Sequence, residues 1–120
     1  MIIGIPTSGN DLSADVEQRF GRCQRFLIVD SGTMDFHVVD NSALAMGGGA
    51  GVRAAQQVVD EGVEAVIAGE VGPKAYEVLE RANIKVYARV TGTVRDALDL
   101  VRSDMAKGAD GPTGPARHGR

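Results

Sequence analysis

From residue 64 onward the chain repeats one unit: a short apolar run, a glycine-marked turn and an amphipathic stretch. Glu64 to Ala68 reads as a strand, Gly69-Glu70-Val71-Gly72 as the turn, and Pro73 through Ala82 as a helix opened by proline at a favourable first-turn position. Asn83 suits a left-handed helix end, Ile84 to Ala88 form the next strand, and Thr93 caps a last helix from Val94 through Arg102. Parallel strands cannot be joined by a tight turn, so strand–helix alternation requires a mostly parallel sheet with helices packed on its faces.

The first half supplies the remaining strands. Ile2 to Ile5 is an apolar run ended by Pro6 and a polar stretch through Asp11, after which a long loop follows. Phe26 to Asp30 and Phe36 to Asp40, joined through Ser31-Gly32-Thr33, read as a hairpin that adds one antiparallel strand. Met46 through Gly51 is a glycine-rich loop opening a helix from Val52 to Glu61, which Gly62 stops. The predicted architecture is a three-layer α/β/α domain.

At 120 residues the chain has room for one domain. Aromatic residues make up only 4%, so the core must come from Val, Ile, Leu and Ala, and rings on which single-stranded nucleic acid could stack are scarce. A formal charge of -3 argues against affinity based on neutralising a phosphate backbone, so no nucleic-acid partner is expected. The longest apolar runs, such as Phe26 to Val29, fall far short of the roughly 20 residues of a spanning helix, so no membrane association is expected either. The N-terminus lacks a basic stretch and reaches Pro6 at once, which suits a first strand and not a signal peptide. With a single cysteine, Cys23, the expected location is the reducing cytoplasm. From Asp104 the composition turns to Ala, Gly and Pro, which predicts a domain over 1–103 and a disordered tail over 104–120.

Gly47-Gly48-Gly49-Ala50-Gly51 is the most informative chemical feature. Residues without bulky side chains let backbone amides approach a ligand while the following helix presents its positive end, an arrangement suited to an anion. The same residues would also serve a tight strand-to-helix passage with no ligand. No Lys followed by Ser or Thr continues the loop, and its glycine spacing differs from the dinucleotide pattern. Cys23, in Arg19-Phe20-Gly21-Arg22-Cys23, has guanidinium neighbours that would favour a metal-binding thiolate, although a lone cysteine also serves as a small buried hydrophobe. His37 sits mid-strand and His118 in the tail, and neither has the spacing of a zinc site. Asp30, Asp40 and Glu70 at strand ends are candidate acids, bases or divalent-cation ligands, or simply solvated turn residues.

Taken in order, four segments resemble the dinitrogenase iron-molybdenum cofactor biosynthesis family, as a stand-alone, single-domain, NifX/NafY-like member. They are Ile2-Ile3-Gly4-Ile5-Pro6, Arg19 to Cys23 ahead of Phe26 to Asp30, Gly47 to Gly51, and Ala68-Gly69-Glu70-Val71-Gly72-Pro73-Lys74-Ala75. The resemblance implies a ribonuclease H-like fold, with a mixed five-stranded sheet in order 3-2-1-4-5 and an antiparallel second strand. It implies no nuclease activity, since the first strand carries no acidic metal ligand. What it does imply is a non-enzymatic carrier or chaperone of an iron-sulfur or iron-molybdenum type cluster, exchanging it with donor or acceptor proteins. Arg19, Arg22, Gly47, Gly48, Gly49, Ala50 and Gly51 would hold the cluster, with Cys23 as the one soft metal ligand. Because the loop offers only backbone, transient carriage fits better than permanent storage. Three rival readings remain: a binding module for an anionic, phosphorylated small molecule at the same loop, a metal-dependent enzyme using Asp30, Asp40 or Glu70, and a protein-interaction domain without any small ligand.

Overall fold

In the computed structural model, which describes residues 1–43 and 49–106, five strands form one mixed sheet. They are β1 (Ile2–Thr7), β2 (Arg25–Asp30), β3 (Phe36–Asp40), β4 (Ala65–Ile67) and β5 (Lys85–Tyr87), in the order β3-β2-β1-β4-β5. β2 runs antiparallel to both its neighbours, while β4 pairs in parallel with β1 and with β5. The helices are α1 (Ala50–Asp60), α2 (Pro73–Arg81) and α3 (Val94–Ala106).

Successive strand side chains point to opposite faces, and both faces are covered. Phe26, Ile28, Val66 and Val86 pack on Ala54 and Val58 of α1 and on Ala75 and Leu79 of α2. Ile3, Ile5, Leu27, Val29 and Ile67 pack on Val94, Leu98 and Val101 of α3. Burial on two sides is why β2 and β4 read as unbroken apolar runs without polar alternation. The three-layer architecture and the sheet order match the expectation from sequence.

The helix-end signals act as their chemistry predicts. Thr93 Oγ1 accepts the Asp96 amide at 3.1 Å as the cap of α3. Asn83, just past α2, adopts φ 62°, the left-handed stop. α3 continues past Arg102 to Ala106, and residues 107–120 of the predicted tail lie outside the described residues. Among the described residues no helix is long and apolar enough to cross a membrane.

β1 does not stop at Pro6 but runs on to Thr7, with Pro6 opposite Phe26. The Pro6 carbonyl accepts the Glu17 amide at 2.8 Å, so this edge of the strand faces the loop. In a strand N and O of one residue point the same way, so the missing N–H costs no bond to β2. The loop after β1 lies across the carboxyl ends of the strands. Val16 donates to Gly92 O at 2.8 Å, Val94 to Ala14 O at 2.8 Å and Arg95 to Leu12 O at 2.9 Å, while Leu12 and Val16 are buried. The segment carrying Arg19 and Arg22 is thereby fixed against the sheet.

Candidate functional site

At the carboxyl ends of β1 and β4, where open α/β sheets present their ligand crevices, two backbones come unusually close. Glu70 donates its amide to Gln18 O at 2.6 Å and accepts the Phe20 amide at 2.9 Å, so Arg19 and Glu70 pair as a parallel bridge. The approach requires Gly69, since a Cβ there would lie 2.7 Å from the Gln18 Cα and carbonyl O. The chain then makes a 3-10 helix, Phe20–Arg22, whose Phe20 is 1% exposed and stacks at a tilt on Phe26 with centroids 5.4 Å apart. A Cβ on Gly21 would stand 2.8 Å from the Gly51 Cα, so this turn rests directly on the first turn of α1.

Asn41, which no sequence motif marks as part of the site, ties this region to the end of β3. Its side-chain amide donates to the carbonyls of Cys23 at 2.9 Å and Gly21 at 3.3 Å, and its Oδ1 accepts the Ala43 amide at 3.0 Å. The last bond is an Asx turn, and Asn followed by Ser after a strand was its available signal.

Arg19 with Arg22, Gly49 with Gly51, and Glu70 with Gly72 line an open cleft of about 360 Å³. It continues into a depression of about 330 Å³ over the first turns of α1 and α2, and into one of about 260 Å³ reaching Tyr76 and Arg89. Both α1 and α2 start here, from Gly49 at φ 78° and from Gly72, with no side-chain cap and no acidic residue in either first turn. Intrahelical bonding begins only with Arg53 N to Gly49 O at 3.0 Å and Tyr76 N to Gly72 O at 2.8 Å. The amides of Ala50, Gly51 and Val52, and of Lys74 and Ala75, precede it and carry the partial positive charge of their helix ends. Arg19, Arg22 and Lys74 are exposed, and among the described residues none of them joins an ion pair. The cleft is thus cationic, built of arginines and main-chain donors, with Glu70 its one acidic lining side chain among the described residues.

Of the residues expected at the site, Arg19, Arg22, Gly49, Ala50 and Gly51 come together here, whereas Gly47 and Gly48 lie outside the described residues. Cys23 requires a correction. Its side chain is 0% exposed within the core beneath α1, and burial pushes its thiol up to about 12, partly offset by the Asn41 amide 3.6 Å from Sγ and reinforced by the Glu17 carboxylate. The guanidinium groups of Arg19 and Arg22 point to solvent and do not make it a thiolate. Cys23 is the small buried hydrophobe, not a presented metal ligand. The folded protein should therefore resist alkylation by iodoacetamide at pH 8 and react once urea unfolds it. Since the folded thiol titrates higher than the unfolded one, its contribution to stability is complete below about pH 9 and is lost as pH rises toward about 12. A urea-unfolding midpoint that falls across that alkaline window in wild type, and falls less in Cys23→Ala, checks the sign.

The strand-end carboxylates do not assemble. Asp30 lies opposite Ile2 at one end of the sheet, where its Oδ1 accepts the Gly32 amide at 2.8 Å. Asp40 lies opposite Arg25 at the other end, 3.7 Å from the guanidinium, with its carboxylate in solvent. A strand length separates Asp30 from Asp40, so these two carboxylates cannot share one divalent ion. His37 is exposed and 3.3 Å from Glu61. Among the described residues no three His, Cys, Asp or Glu side chains are grouped to hold a metal ion.

Known proteins share this fold. The apo form of the orange protein from Desulfovibrio gigas superposes with a TM-score of 0.79 at 35% identity, over 92% of this chain and 94% of that one. The NMR structure of a Thermotoga protein, described as a candidate NifB protein of the DUF35 family, superposes with a TM-score of 0.73 at 39% identity, over 85% and 87% of the two chains. An uncharacterized protein of Methanocaldococcus jannaschii is 32% identical over 103 residues, which is 83% of this chain and 84% of the relative. The model of the dinitrogenase iron-molybdenum cofactor family matches residues 1–104. With the fold shared and the family model spanning nearly the whole described length, the chain belongs to the dinitrogenase iron-molybdenum cofactor family.

Proposed function

We propose that the protein is a non-enzymatic carrier that transiently holds an anionic iron-sulfur or iron-molybdenum type cluster and passes it between donor and acceptor proteins in the cytoplasm. The observation that carries the reading is the convergence of two helix N-termini, neither capped by a side chain, with Arg19 and Arg22 on one open cleft. Charge-assisted bonds from guanidinium and amide N–H groups would hold sulfide or oxo ligands at the cluster periphery. They leave its metals uncoordinated by protein, as rapid exchange demands. Cys23 is assigned no ligand role, because its thiol is buried and protonated. We further infer a ribonuclease H-like fold, a reading supported by the sheet order and the strand directions. Its first strand, Ile2–Thr7, supplies no acidic residue for nuclease chemistry.

Anaerobic reconstitution with iron, sulfide and molybdate tests the proposal. Wild type and Cys23→Ala should both retain protein-bound metal after desalting, with the same visible absorption. Absence of bound metal in wild type, or its loss in Cys23→Ala alone, contradicts it. The same donors also suit a phosphorylated metabolite, and that reading is favoured if phosphate esters raise the melting temperature in metal-free buffer while reconstitution yields nothing.

A further inference from the structure

Glu70 stands apart from the rest of the cleft lining. Among the described residues it is the one acidic side chain on this surface, and it borders both the 360 Å³ cleft and the 260 Å³ depression beside it. Its position is fixed by main chain, through the bonds to Gln18 and Phe20 and the close approach that only Gly69 permits. The side chain is exposed, and among the described residues its carboxylate joins no hydrogen bond and no ion pair with Arg19 or Arg22. Among the described residues no cation at contact distance neutralises it. The helix N-termini nearby attract negative charge, yet the fold anchors a negative group at their edge.

Such a group opposes any anion that enters, whatever its composition, and by lowering affinity it speeds departure. Resting on the carrier reading above, we propose that Glu70 is a release-setting residue: its carboxylate weakens the hold of the cationic cleft on an anionic cluster so that the cluster can be handed on. The sign of the effect separates this role from that of a metal ligand. A ligating carboxylate would lose affinity on neutralisation, whereas a repelling one gains it.

The experiment uses tetrathiomolybdate, a metal–sulfur dianion, titrated anaerobically at fixed low ionic strength against the full-length chain and the variants E70Q, E70D and R19Q/R22Q, with dissociation followed by stopped flow. E70Q should bind about tenfold tighter and release more slowly, as removal of one like charge implies. E70D, which keeps the charge, should stay near wild type, and R19Q/R22Q should bind more weakly than wild type. If R19Q/R22Q weakens binding while E70Q is unchanged or weaker, the Glu70 proposal fails and the cleft reading stands. If R19Q/R22Q binds as wild type does, or if neither wild type nor E70Q binds, the cleft reading fails and takes this proposal with it.

Discussion

Phe20→Ala is expected to lower stability by about 3–5 kcal/mol and to cost the protein its anion site as well. Phe20 is among the largest fully buried side chains, at 1% exposure, and its ring is half of a tilted pair with Phe26 at 5.4 Å. Its removal leaves a cavity between the sheet and α1 that the neighbouring Cys23 and Ala54 are too small to fill. The same residue anchors the 3-10 helix between Arg19 and Arg22, so loosening it frees both arginines from the cleft. Since domains of this size hold only about 5–15 kcal/mol in total, the loss should appear as a large drop in the urea midpoint. Phe20→Leu keeps much of the volume and separates the effects. It should recover most of the stability and most of the anion binding, whereas recovery of stability alone would show that the ring itself, not the turn it anchors, serves the site.

The second large effect is opposite in kind. R19Q/R22Q should weaken binding of an anionic cluster on the order of 100-fold, taking each charge-assisted bond at about 1.5 kcal/mol. Stability should hardly change, because both side chains are exposed and, among the described residues, neither forms an ion pair. The wild-type affinity should also fall with added salt more steeply than that of the variant, as expected for an open, solvated cleft. A matched loss of stability in R19Q/R22Q would reassign these arginines to the scaffold.

What the sequence made legible is what local chemistry encodes. Pro73 opening α2, Asn83 closing it and Thr93 capping α3 each act within a few residues of themselves, and each lies where its type predicts. The unbroken apolar runs of β2 and β4 declared burial on both faces. What stayed hidden depends on partners distant in the chain. Pro6 reads as a strand end until Glu17 is seen to take its carbonyl, and Gly69 reads as a turn glycine until Gln18 is found against it. The same holds for the site. Arg19 and Arg22 were recognisable beside the glycine-rich loop, but the second helix end, Gly72 to Ala75, joins them only through packing of α1 on α2. Cys23 misled for a related reason. Sequence neighbours suggested a cationic setting, while the turn that carries it faces those arginines outward and the thiol into the core.

The central claim is that main-chain amides at two helix starts, together with Arg19 and Arg22, seat an anionic metal–sulfur species. The direct measurement is an amide chemical-shift map of the 15N-labelled protein titrated with tetrathiomolybdate under anaerobic conditions. Saturable shifts concentrated at Ala50 to Val52, at Lys74 and Ala75, and at Arg19 to Arg22 are the predicted result. Shifts centred elsewhere on the domain, or uniform shifts that never saturate, would contradict it.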